Sequence, residues 1–202
     1  MREWIASEAP ERDETEVLAL ARASAGRLDR ARRLLDTAAA ERRDALVGAA
    51  RAVYLDPDFE PADAAATILG AADVLGQEAK EREREAIADL GLPAREADQR
   101  ARRAQWGAER EELLASVEGL EAWYRDLVVV GVGAERVVVH ADRLDDLRGD
   151  VELDLGTGPE RAAETVRELW RALEEFNLNA SVALEALFVR LHRELRRPAR
   201  VA

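Results

Sequence analysis

Trp106, Arg110, Leu113, Val117, Leu120, Tyr124 and Leu127 follow one another at alternating steps of four and three. That spacing lays an apolar stripe, broken once by Arg110, along one side of an α-helix; a strand would repeat every two residues. The same rhythm runs through the rest of the chain. Glycine and proline are sparse between long segments of alanine, leucine, arginine and glutamate, so an all-α fold is expected.

The breakers divide the chain. A first helix over about 15–24 turns Val17, Leu18, Leu20 and Ala21 inward, and Gly26 ends it. A second buries Leu28, Ala31, Leu34 and Leu35. A third carries Ala45, Leu46, Ala49 and Val53 up to Asp56-Pro57. Residues 1–56 are thus expected as a small three-helix bundle, and residues 62–202 as a larger helical bundle built on a long hairpin. The hairpin's first helix spans about 62–90, and Gly91-Leu92-Pro93 makes its turn. Its distal part, 78–103, carries seven basic and seven acidic residues, with Glu78/Arg82, Glu96/Arg100 and Asp98/Arg102 at i,i+4 spacing. Such a balanced face suits solvent better than phosphate.

Residues 127–140 (LVVVGVGAERVVVH) are where strand competes with helix. A lone two-stranded ribbon is marginal in water, so the helix is expected to reach Val130, followed by an irregular connection with a short extended piece at 137–139. Short helical structure at 142–150 and helices over 159–176 and 179–195 complete the chain. In the penultimate helix Val166, Leu169, Trp170, Leu173 and Phe176 point inward. Asn177 suits a left-handed cap, and Asn179 or Ser181 an N-terminal one.

Composition narrows the function classes. The 202 residues are 48% hydrophobic and 36% charged, with a formal charge of -12. A chain of this length buries roughly 70% of its unfolded surface, enough for a real core. There is no cysteine, hence no disulfide, thiol nucleophile or zinc knuckle. Residues 1–15 lack the apolar stretch of a signal peptide, and no uncharged run, 64–72 included, exceeds half a membrane span; a cytoplasmic location is expected.

Catalytic patterns are mostly missing. The sole lysine, Lys80, lies inside a charged helix instead of a Gly-Lys-Ser/Thr phosphate loop. Gly131-Val132-Gly133 lacks the third glycine and the strand–helix–strand setting of a dinucleotide site. His140 and His192 have no ligand partner at metal-site spacing. Glu111-Glu112 and Asp145-Asp146 are adjacent on their helices and are read as solvated faces. The four serines form no nucleophile elbow. Trp106, Trp123, Tyr124, Trp170, Phe176 and Phe188 are read as core. Trp4, ahead of the first bundle, is a candidate for an exposed docking point of a preceding domain. No cofactor, metal or catalytic residue is expected.

Three segments carry a resemblance. Residues 25–35 (AGRLDRARRLL) resemble the Gly-x-Leu-x-x-Ala turn in the helical lid of clamp-loader AAA+ proteins. Residues 120–143 resemble the Tyr-Arg-Asp helix and following loop of the delta prime subunits of bacterial DNA polymerase III. Residues 177–191 (NLNASVALEALFVRL) resemble the closing helix of those subunits. The order matches, over roughly 17–195. The resemblance implies a lid (1–56, with Gly26, Leu28 and Asp29 in its motif) followed by a collar (62–202), corresponding to a C-terminal piece without the family's ATPase module.

Asp29 stands where the ATPase subunits carry a sensor arginine, which implies a non-hydrolysing subunit. The implied role is structural: holding the gamma/tau ATPase and delta subunits in a ring during DNA replication, with DNA met only through the complex. The collar contact is expected among Trp170, Leu173, Leu184, Leu187, Phe188 and Leu191, some of them partly exposed. The alternative is a freestanding coiled-coil adaptor whose hairpin, 62–130, grips a partner or a second copy.

Overall fold

The computed structural model describes residues 1–36 and 38–196. They form nine α-helices and no strand: α1 Arg2–Glu8, α2 Glu14–Ala23, α3 Leu28–Leu34, α4 Ala39–Leu55, α5 Pro61–Ile87, α6 Ala94–Gly131, α7 Leu144–Val151, α8 Gly158–Glu175 and α9 Ala180–Leu195. Three 3-10 turns, Ala88–Leu90, Glu135–Val137 and Ala141–Arg143, lie between them. The chain is all-α, as its periodicity predicts.

The helix ends follow from local chemistry. Asp13 accepts hydrogen bonds from the Thr15 and Glu16 amides and starts α2. Pro61 opens α5 at a position where the missing N–H costs nothing. Gly91, at φ +62°, turns the chain from the 3-10 segment into Pro93 and α6. At the far end of α6 the two glycines of the Gly-x-Gly pair serve a helix stop: Gly133 takes φ +75°, and the Gly133 and Ala134 amides donate to Val130 O and Val129 O. The valine-rich connector then forms a 3-10 turn at Glu135–Val137, with Val138 extended after it. The extended piece anticipated at 137–139 therefore does not include Val137.

Two cores separate. The larger draws on α4, α5, α6, α8 and α9 and encloses Ile68, Leu120, Trp123, Tyr124, Phe188 and Leu191. The smaller holds Ile5, Val17, Leu20 and Ala31, with Trp4, Leu34 and Leu35 packed around them. Helix α4 supplies Val47, Ala49, Ala50 and Val53 to the larger core, so the cores divide between α3 and α4 and not at Pro57. Polar groups help to join the cap α1–α3 to the body. Arg22 on α2 donates to Val138 O at 2.6 Å and to Arg136 O. On α3, Arg30 and Arg33 pair with Glu118 and Glu111 of α6.

Helix α1 was not anticipated, and Trp4 within it packs on the small core. Leu28 is 42% exposed, because it is the first residue of its helix and lies outside the packed face. Ala45 is exposed on α4. The turn at Phe176 is extended, at φ −123° and ψ 152°, so Asn177 makes no left-handed cap; Asn179 does cap α9, accepting from the Val182 amide at 3.1 Å.

The body closes where the end of α9 crosses the start of α8. A Cβ on Gly158 would lie 2.8 Å from Glu194 O, a backbone atom, and 3.2 Å from a Leu195 methyl. Gly158→Ala is therefore expected to cost about 1–3 kcal/mol, measured as a lower urea midpoint with unchanged slope.

Candidate functional site

Two constellations of polar groups lie inside the body. Asp126, fully buried on α6, accepts from the Val139 amide at 2.8 Å, the His140 amide at 2.8 Å and His140 Nδ1 at 2.9 Å, and from Arg125 at 3.2 Å. A carboxylate partner requires the proton on Nδ1. Burial pushes the Asp126 carboxyl up, but the bonds from His140 and the Val139 amide outweigh it and leave it below its ordinary range. The His140 ring stands edge-on to Trp123 at 5.3 Å. Together these contacts pin the connector to α6.

The second constellation ties α7 to α4. Arg51 grips Asp150 with Nε and Nη2, both at 2.9 Å, and reaches Asp146 with Nη1 at 2.9 Å. Tyr54 Oη donates to Asp150 at 2.6 Å and accepts from Trp123 Nε1 at 3.1 Å. Burial, with Asp150 beside it, raises the Tyr54 phenol far above its ordinary value, so it remains a donor. Asp126, Arg51, Asp150 and Tyr54 are engaged with other parts of the fold, whereas Arg125 Nε is buried without a hydrogen-bond partner. His192, on α9, approaches Val53 O at 3.0 Å and stacks on Phe59. Among the described residues no three His, Cys, Asp or Glu side chains gather as a metal set, and no helix is long and apolar enough to cross a membrane.

The acidic pairs expected on solvated faces are split: in each, one member is exposed and the other partly buried. Glu111 pairs with Arg33, and Glu112 lies 3.9 Å from Arg42 of α4. Burial raises the Glu112 carboxyl against the pull of Arg42 and Arg33. Asp146 belongs to the Arg51 cluster; Asp145 is open to solvent, touching Arg148.

The lid-motif residues form an exposed turn: Gly26 at φ +81°, Leu28 outward, and Asp29 held by Arg27 at 2.8 Å. The Arg27 side chain depresses the Asp29 carboxyl. Of the six residues named for a subunit contact, Leu173, Leu184, Leu187, Phe188 and Leu191 are buried in the larger core. Trp170 alone keeps some solvent contact, and its indole Nε1 is buried without a hydrogen-bond partner. The reason is topological: α9 inserts its apolar face between α5 and α8, so a stripe that looks free in one helix is consumed by two neighbours.

The exposed apolar surface lies elsewhere. Helix α8 runs antiparallel along α6, with Arg167 donating to Glu121 at 2.6 Å and Arg110 donating to Leu173 O at 3.0 Å and Glu174 O at 3.4 Å. Arg110 thereby closes the C-terminal end of α8. One turn further along the α6 stripe, beyond the end of α8, stands Trp106, 61% exposed; Phe176, expected inward, is 59% exposed in the turn leaving α8, with Leu178 and Val182 exposed after it. The Arg110 contact sets the end of α8 against α6 one turn from Trp106, and this region, where the α5–α6 hairpin leaves the body, is the shoulder. From Trp106 to the tip the arm extends about 20 Å at 1.5 Å per residue. Its helices are tied by Arg100 to Glu83 at 3.1 Å, and Arg102 joins Asp98 at 3.0 Å within α6.

Comparison with family models, with characterised proteins and with solved structures gives no match for this chain.

Proposed function

We propose that this chain is a non-catalytic helical scaffold that binds neighbouring protein subunits at the shoulder between arm and body. Trp106 carries the reading. It continues the apolar stripe of α6 past the point where Arg110 meets the end of α8, and it stands in solvent, as Phe176 and Leu178 do in the turn leaving α8. Exposed aromatic side chains grouped at the edge of a rigid groove are the composition of an interface centre.

For the assembly served we propose the bacterial clamp loader, with its gamma/tau ATPase and delta subunits. That part rests on the three resembling segments alone. The adaptor alternative draws on the projecting arm and requires a tight homodimer.

The test is co-purification of the full chain with the motor and delta subunits of the same organism, for wild type and for Trp106→Glu with Phe176→Glu. The expected result is a complex that the double variant weakens by tenfold or more, which corresponds to about 1.4 kcal/mol, while the thermal midpoint of the isolated chain is unchanged. A homodimer in sedimentation that the same variant dissociates would support the adaptor instead. A monomer that joins none of these subunits would overturn the clamp-loader reading, and an unaffected complex would remove the shoulder from it.

A further inference from the structure

At the end of the molecule opposite the arm, α6, α7 and α8 converge without filling the space between them. They leave an open cleft of about 240 Å³. Leu127 and Pro159 are its buried floor, Val128, Val151 and Leu155 its half-buried walls, and Val132 stands at its mouth, 75% exposed. An engineered apolar cavity of about 150 Å³ already accepts benzene, so one branched aliphatic side chain fits here.

The polar rim is of one sign. Asp154 and Glu160 line the cleft, Glu152 flanks Val151, and all three are exposed with no ion pair among the described residues. The basic neighbour Arg161 is spent elsewhere, on Thr157 and on Glu194 O at the end of α9. An apolar hole ringed by uncompensated carboxylates selects against acidic and neutral segments and for a basic one.

We propose that this cleft is a docking site for a partner-protein segment that presents one aliphatic side chain between arginines or lysines. The aliphatic group fills the space over Leu127 and Pro159, and the flanking cations reach Asp154 and Glu160. This site is separate from the shoulder, and its test does not depend on which assembly the shoulder serves.

The experiment is fluorescence anisotropy on the full chain with a labelled peptide, Arg-Arg-Ala-Leu-Ala-Arg-Arg, alongside versions with glycine for leucine and glutamate for arginine. Saturable binding of the first peptide is expected, at least about tenfold stronger than either control, and falling as salt is raised from about 50 to 300 mM. Asp154→Asn with Glu160→Gln should weaken it about tenfold; asparagine is chosen because residue 154 sits at φ +54°. Gly131→Leu should weaken it similarly by filling the mouth. A Cβ there meets only a Val151 methyl, at 3.8 Å, so the backbone has room for a side chain to begin.

Circular dichroism melts of both variants should match wild type. No saturation by about 1 mM peptide, equal binding of the glutamate peptide, or indifference to both sets of substitutions would overturn the proposal. The chain's own residues 197–202 (RPARVA) have the same chemistry in sequence. A chain ending at Arg196 that binds the peptide tenfold more tightly than the full chain would assign the cleft to that segment and overturn the partner reading.

Discussion

Phe188→Ala is expected to lower stability by about 3–5 kcal/mol, because it empties a ring-sized volume from the middle of the larger core. For a chain of this length that is a fall in thermal midpoint on the order of 10 °C. Phe188 is fully buried and its ring lies 6.2 Å from that of Phe59, in the linker before α5. The substitution therefore loosens the junction of α5 with α9 and not an outer face. Chemical denaturation of wild type and variant, beside Trp106→Glu as a surface control, measures the difference. A Phe188→Ala chain as stable as wild type would mean that α9 does not pack as described. Leu191→Ala, fully buried one turn away, should behave alike, at about 2–5 kcal/mol.

Asp126→Ala is expected to rival it through a different mechanism. Removing the carboxylate leaves the Val139 amide, the His140 amide and His140 Nδ1 without their acceptor in the interior. Breaking a buried charged cluster from one side costs about 3–5 kcal/mol. Asp126→Asn, which keeps one acceptor oxygen, should cost less.

The effect carries a pH signature. The folded Asp126 carboxyl is held below its ordinary value of 3.8, so its stabilisation is fully present above that value. It is lost as pH falls through the depressed folded value, where the unfolded chain binds the proton first. Wild type and Asp126→Ala should therefore differ most at neutral pH and converge in strong acid. A difference that stays constant down to pH 2 would contradict the assignment.

The helices themselves were legible because their signal is local. A stripe at three and four, a proline at the start of α5 and a glycine–proline turn before α6 each act within a few residues. The predicted hairpin, with its first helix over 62–90, is close to the observed α5 and α6. Where a stripe finds its partner is set by residues far away in the chain. Trp106 continues the heptad pattern of Leu113 to Leu127, but α8, 63 residues from its contact at Arg110, stops one turn too early to cover it. The same non-local geometry buries Leu184 to Leu191 and turns Phe176 outward.

The polar interior was missed for a related reason. The partners of Arg51 are 95 and 99 residues distant, and no spacing rule links them. Asp126 did leave a trace: it sits three residues after Trp123 and four before Val130, on a face that is otherwise apolar. A charge at helical step inside such a stripe signals a buried, fully bonded carboxylate. The cleft at Pro159 had no comparable trace, since it exists only where three helix ends fail to meet.

The cap's small core has a consequence for how the molecule comes apart. A cluster of four apolar side chains and a seam of arginines hold far less free energy than the greasy interior behind them, and part of it is sensitive to dissolved ions. Opening of α1–α3 is thus a separate, shallower event than loss of the whole fold. The chain has a natural order of disassembly: its front end can lift while the rigid platform behind it stays whole.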